Sequence, residues 1–236
     1  MNVQIVEMKL IPFIPGRIRR LVLRQFYRLH PRHDMARLGN DYGGWIIPAS
    51  LLDASSICYC AGVGEDISFD LALIERFGCD VEAFDPTPEA KTYVTGLPDV
   101  PAAFRLHEYG LWSDNETLRF YAPRDPGVDI SHSVVNLQGT ETYFEAPVKN
   151  LQTIMQELGH TRIDLLKIDI EGAEHVVLEN MEAASIWPRV LCVEFDQPSS
   201  IFRIRDKLKM LQRHGYTVMA TEKWNFTFVR ETGAAS

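Results

Sequence analysis

Apolar residues along this chain recur in two alternating rhythms. Short apolar-rich runs, Ile57 to Cys60, Val81 to Phe84, Phe104 to Tyr109, Ile163 to Ile168 and Val190 to Glu194, have the length and composition of buried strands. Between them lie segments with helical spacing. Ser68 to Phe77 sets Leu71, Ile74 and Phe77 on one side, and Glu89 to Thr95, Leu151 to Leu158, Ala173 to Met181 and Ile201 to His214 are further helices. Strands alternating with helices predict an α/β fold whose mostly parallel sheet is covered on both faces. Thr117 to Tyr121 forms another strand after the Asp114-Asn115 turn, a turn-rich stretch runs from Pro123 to Gly139, and "YTVMATEKWNFTFVR" reads as an antiparallel hairpin at the sheet edge. Before this alternation come a helix starting near Pro15, with a ragged apolar face of Leu21, Leu23, Phe26, Tyr27 and Leu29, and the segment "RLGNDYGGWIIP", with turn residues leading into a short strand. The expected organisation is an arm and helix over residues 1–37 followed by one domain over 38–236.

Charge refines this picture. The net charge is −8, yet Lys9, Arg17, Arg19, Arg20, Arg24, Arg28, Arg32 and Arg37 precede residue 38 against only Glu7 and Asp34. The remainder is strongly acidic, which argues against nucleic acid as the partner. The basic start suits weak contact with an anionic membrane surface, or a solvated helix face docked on the domain. Arg17, Arg19 and Arg20 interrupt the first apolar stretch, so no signal peptide is expected, and no run reaches the ~20 apolar residues of a membrane span. Cys58, Cys60, Cys79 and Cys192 all lie in strand-like stretches without a C-x-x-C pair, the pattern of buried reduced thiols and a cytoplasmic setting. Oligomeric state leaves no signature.

"YCAGVGEDISFDLALIERFGCDVEAFDPTP", Tyr59 to Pro88, carries the first chemical signal. A strand ending in Gly62-Val63-Gly64 lets a ligand approach bare backbone, and Asp85 closes the following strand, where a carboxylate can accept both hydroxyls of a ribose. A diphosphate needs a helix N-terminus free of negative charge. Glu65 and Asp66 stand there instead, and the third glycine of G-x-G-x-x-G is absent. Those acids suit the sulfonium and ammonium of S-adenosylmethionine and repel a nicotinamide cofactor's diphosphate.

"DLLKIDIEGAEHVVLENM", Asp164 to Met181, carries the second. Lys167 and Asp169 share one face of a buried strand, Glu171 follows on the loop, Gly172 permits a sharp turn and Glu174 opens a helix. Buried charges are costly unless paired or used. Asp169 can orient an ammonium or deprotonate a hydroxyl, Glu171 is the next base candidate, and Lys167 either joins the chemistry or pairs with Asp169; Glu174 reads as a helix cap.

These segments, with "LGNDYGGW", "SHSVVNLQ" and "VEFDQP", resemble the FkbM-type S-adenosylmethionine-dependent methyltransferases over roughly Leu38 to Pro198, and the D-x-x-K-x-D-x-E-G-A-E string is specific to that family. The resemblance implies a Rossmann-like class I methyltransferase fold with a seven-stranded sheet, and O-methylation of a sugar, glycan or small metabolite. It implies cofactor contacts at Gly62, Val63, Gly64, Asp85, Pro86, Glu108, Tyr109 and Gly110, with Asp169 near the transferring methyl. Many class I enzymes carry an acid where this chain has Cys60, so the methionine ammonium needs another partner; Asp41, Asp66 and Asp169 are the candidates. His132, in "DISHSVVN", is a further base candidate. His132, Asp169, Glu171 and Glu194 or Asp196 offer hard ligands to a divalent metal, though no spacing compels one. Trp45, Trp112 and Tyr143 are aromatic surfaces for a sugar. An NAD-type oxidoreductase and a non-catalytic module that docks on a membrane or partner enzyme are the alternatives.

Overall fold

The computed structural model describes residues 16–122, 133–134, 136, 139–195 and 199–231. The chain forms helix α1 (Gly16–Leu23), then a two-stranded antiparallel ribbon of β1 (Met35–Leu38) and β2 (Trp45–Pro48) around the Asn40–Gly44 turn. The alternation follows: β3 (Ile57–Ala61), α2 (Ser68–Phe77), β4 (Asp80–Phe84), α3 (Pro88–Gly96) and β5 (Phe104–His107). β6 (Gly110–Leu111), β7 (Glu116–Tyr121) and β8 (Tyr143–Lys149) come next, then α4 (Leu151–Leu158), β9 (Leu165–Ile168), α5 (Glu174–Ala183), β10 (Val190–Glu194), α6 (Ile201–Arg213), β11 (Tyr216–Glu222) and β12 (Asn225–Arg230).

Seven strands make the main sheet in the order β11-β12-β10-β9-β3-β4-β5. β3, β4, β5, β9 and β10 are parallel, and β12 runs antiparallel to both β10 and β11, so the expected hairpin forms the edge. Strand order reverses between β3 and β9. A crevice therefore opens at their carboxyl ends, where such sheets bind ligands.

Strand periodicity divides the core in two. Tyr59, Ala61, Leu166 and Ile168 face one apolar layer, while Cys58, Cys60, Leu165 and Cys192 face the other. All four cysteines are buried free thiols. Local signals fix several helix ends: the Asn150 side chain accepts from Thr153 N at 2.8 Å to start α4, and Gly78 and Gly159, at φ 69° and 71°, end α2 and α4.

The hydrophobic pattern missed two features. β8 was not foreseen, and β7 does not join the main sheet but pairs with β8 in a separate three-stranded sheet with β6. The charged and prolyl residues of Tyr143–Lys149 break the apolar run that marks a buried strand; one face alone packs, on Ala146 and Val148. The division at residues 37 and 38 falls inside β1, and α1 anchors Leu23, 1% exposed, in the main core. Among the described residues no helix is long and apolar enough to cross a membrane.

Candidate active site

The glycine loop lies at the strand-order reversal, and its geometry explains its composition. Gly62 has φ 85°, and a Cβ there would stand 1.7 Å from the Asp169 carbonyl oxygen, so no other residue fits where β3 passes the end of β9. Gly64, at φ 53°, has nothing within 4 Å of an added Cβ; only its backbone angle favours glycine. Loop and neighbouring strand are laced together by Gly62 N donating to Phe84 O (3.0 Å) and Asp169 N donating to Ala61 O (3.1 Å).

The Asp85 carboxylate is turned to the glycine loop and to Thr87. Its Oδ2 accepts from the Val63 and Gly64 amides at 2.8 and 2.9 Å, and its Oδ1 accepts from the Thr87 amide and hydroxyl at 2.8 and 2.6 Å. These four bonds match the roughly four lone-pair sites of a carboxylate. In this structure Asp85 braces the glycine loop, and a ribose would have to displace those donors to reach it. The same contact bears on the diphosphate alternative, because the loop amides that would cradle a phosphate already hold a carboxylate.

Lys167 is 6% exposed and donates to Gly62 O at 2.7 Å, with Asp169 Oδ2 at 3.3 Å. Its register partners are Cys60 on β3 and Cys192 on β10. Burial opposes its charge, but Asp169 and Asp70 outweigh it and hold the ammonium above its ordinary pKa. Lys167 is thus an enclosed, charged group bonded to the loop backbone and paired with Asp169. Asp70, on α2, went unrecognised in the sequence. It supplies a carboxyl beside Cys60, the position where an acid was missed; burial pushes it up to about 6, against the pull of Lys167, and its Oδ1 has no hydrogen-bond partner among the described residues. An acid on the buried side of "SFDLALIERF" was the available signal.

Asp169, Glu171 and Glu194 come together at the carboxyl ends of β9 and β10. Burial, then the charge of Asp169 and a hydrogen bond to it, then Glu171, push Glu194 up to about 8. A hydrogen bond between two carboxyl groups needs a proton on one of them, so the Asp169–Glu194 pair holds one near neutrality. Glu171 adopts φ 51°, and its carbonyl accepts from the Ser133 hydroxyl at 2.7 Å, which ties Ser133 to the site. Tyr42 was also missed. It is 88% exposed, yet local desolvation and then Asp169, Glu171, Glu194 and Asp66 raise its phenol pKa, which places it at the mouth of this cluster.

Asp66 lies on the opposite wall. Its Oδ1 accepts from Ser68 N at 2.7 Å and its Oδ2 from Asn40 Nδ2 at 2.8 Å; these bonds outweigh burial and keep it ionised below the usual range. Asn40 Oδ1 in turn accepts from the Tyr42 and Gly43 amides, so Asp66 holds the turn that presents Tyr42. Asp41, in that turn, is exposed, and only its carbonyl is engaged, by Arg37 at 3.4 Å. Glu108 is exposed and pairs with Lys91 at 2.9 Å, Tyr109 lies 5.7 Å from the Phe84 ring, and Gly110 approaches Pro86, whose Cγ would be 3.5 Å from an added Cβ. These flank the β4 and β5 ends, away from the carboxylate cluster. Glu174 is fully buried and held by Ser199 Oγ at 3.4 Å and His175 Nε2 at 3.4 Å, a packed polar pair rather than an exposed cap. Trp45, 2% exposed, is core and offers no face to a sugar. His132 and Asp196 lie outside the described residues, and among the described ones no group of three or more His, Cys, Asp or Glu is arranged to hold a metal.

Similarity to known proteins follows the same segments. The family described as the methyltransferase FkbM domain matches residues 53–218. The chain is 32% identical over 124 residues to the probable methyltransferase-like protein 24 of Homo sapiens, covering 52% of this chain and 27% of that protein. It is 32% identical over 94 residues to the 31-O-demethyl-FK506 methyltransferase FkbM of Streptomyces tacrolimicus, covering 40% of this chain and 36% of that one. The matches thus span well under half the length of these relatives. Among solved structures, a Methanococcus jannaschii fibrillarin pre-rRNA processing protein aligns with a TM-score of 0.43 at 10% identity, over 85% of this chain and 84% of that one. The M. jannaschii TYW2 in complex with AdoMet aligns at 0.35 and 11%, over 86% and 90%.

Proposed function

The chain belongs to the FkbM-domain methyltransferases, and on that premise we propose that it moves a methyl group from S-adenosylmethionine to a hydroxyl oxygen of a sugar, glycan or small hydroxylated metabolite. The observation that carries this reading is the set of carboxylates, Asp66, Asp169, Glu171 and Glu194, whose charges converge on Tyr42 near the strand-order reversal. That cluster fits a cation and disfavours a diphosphate.

S-adenosylmethionine bound there would supply an already activated methyl on a positive sulfur. The protein's share is placement and proton removal. Lys167 holds the glycine loop through Gly62 O and pairs with Asp169 beside it. The Asp169–Glu194 pair would take the proton that the acceptor hydroxyl gives up on methylation. The neighbouring positive charge of the cofactor would first discharge the proton that the pair holds at rest.

Calorimetry with S-adenosylmethionine, followed by labelled methyl transfer to a panel of hydroxylated sugars and metabolites, tests the proposal. Saturable binding is expected, with Asp169→Asn and Glu194→Gln retaining binding but losing transfer. Absence of any binding heat ends this reading.

A further inference from the structure

A second site, of opposite charge, lies beside the β11–β12 turn. Between α1 and the β11–β12 turn is a pocket of about 330 Å³ whose lining includes Arg17, Arg20, Arg24 and Lys223, with Tyr27 and Phe226 as aromatic walls. No carboxylate lines it among the described residues. The nearest acid in the chain, Glu222, is turned to an ion pair with Arg37. Four like charges around one cavity, in a chain of net charge −8, repel each other unless an anion joins them.

Register ties this pocket to the carboxylate cluster. Asn225 on β12 is the direct partner of Glu194 on β10, and Phe195 N donates to Trp224 O at 3.1 Å. Lys223 and Phe226 therefore flank the very turn that backs Glu194. Guanidinium groups match phosphate and carboxylate oxygens in bidentate fashion, and the exposed Leu21 and half-buried Tyr27 beside them suit the apolar face of a ring.

Resting on the methyl-transfer reading above, we infer that the acceptor is an acidic hydroxylated compound, whose phosphate or carboxylate group seats in the Arg17–Arg20–Arg24–Lys223 pocket while its hydroxyl reaches the Asp169–Glu194 pair. The two subsites divide by charge: the acidic cleft takes the cationic methyl donor and the basic pocket takes the anionic end of the acceptor. The acceptor oxygen gains the methyl, its proton goes to the carboxylate pair, and the anionic group stays unchanged.

Trp224, with the Arg19 and Arg20 guanidinium carbons 5.5 and 5.7 Å from its ring, reports on this pocket by fluorescence. The full chain is titrated with inorganic phosphate, glucose 6-phosphate, glucuronate and, as the uncharged control, glucose, with S-adenosylmethionine affinity measured in parallel by calorimetry. The three anions are expected to bind saturably and glucose not. The double variant Arg20→Gln/Lys223→Gln should weaken the anions by about tenfold or more, Arg20→Lys/Lys223→Arg should retain them, and neither should change S-adenosylmethionine affinity. Lack of saturable anion binding by the wild type, or equal binding by the neutralised variant, overturns the inference. So does binding to phosphatidylserine vesicles that depends on the same residues while soluble anions neither bind nor compete, since the pocket would then be part of a lipid-facing surface. If the wild type binds the anions but not S-adenosylmethionine, it is the methyl-transfer reading that falls, and the acceptor role falls with it.

Discussion

The Glu194→Gln substitution isolates the shared proton at the carboxyl ends of β9 and β10. Glutamine keeps the size and hydrogen-bonding capacity of a protonated glutamate but cannot ionise. In the folded protein Glu194 titrates near 8, against an ordinary 4.5, because it is buried beside Asp169 and Glu171. Between those values the unfolded chain has released the proton and the folded chain keeps it, so the wild type loses stability as pH rises. The full shift corresponds to at most about 5 kcal/mol, and the window from pH 5.5 to 8.5 covers about 3 kcal/mol of it. Solvent response in an open cleft brings the expected figure to about 2 kcal/mol. Urea denaturation of both proteins at the two pH values is the assay, and the variant-minus-wild-type difference cancels the titrating groups not coupled to Glu194. The variant should gain about 2 kcal/mol on the wild type between pH 5.5 and 8.5. Saturating S-adenosylmethionine should shrink that gain, because a cation favours the ionised pair. A difference that stays flat with pH would refute the shared proton, and a gain unaffected by the cofactor would refute the nearness of the cation to it.

Other expectations follow from single contacts. Gly62→Ala forces a Cβ into the Asp169 carbonyl and should cost at least about 3 kcal/mol in urea unfolding, whereas Gly64→Ala meets open space and should cost only the left-handed backbone penalty of about 1–2 kcal/mol; equal losses would contradict the crossing geometry. Asp85→Ala removes the acceptor for four donors, and should lower stability by about 2–4 kcal/mol even without cofactor, a loss that a purely ribose-binding role would not produce. Burial pushes the His175 imidazole down to about 3, so the wild type should lose stability as pH falls from 6.5 towards 3; His175→Gln should lack that loss when the two are compared by denaturation. Leu23→Ala should cost about 2–5 kcal/mol and lower the Tm of the whole chain in one transition, since α1 is anchored in the main core; a separate early transition would mark the segment as an independent arm.

Much of this molecule was legible in the order of its residues. Strands buried on both faces must be apolar throughout and helices on a sheet must be apolar on one side, so β3, β4, β9, β10 and the helices between them announce themselves locally. The glycine loop and the D-x-x-K-x-D-x-E string were equally plain, because a crossing with no room for a Cβ at Gly62, or a buried lysine, leaves few residue choices. β8 was hidden, since a strand packed on one face with its other side in water carries charge and proline through its length.

What tertiary structure alone decided is which groups meet and which state they hold. A carboxylate at the end of β4 can face a ligand or its own backbone; only the positions of Val63, Gly64 and Thr87 turn Asp85 inward. Asp70 is 97 residues from Lys167 and Tyr42 is 127 from Asp169, and their coupling arises from sheet register and helix docking rather than from sequence spacing. Electrostatic energy depends on separation and burial in space, and neither can be read along the chain. The same reason places Arg20 and Lys223, two hundred residues apart in sequence, on one basic pocket beside an acidic cleft.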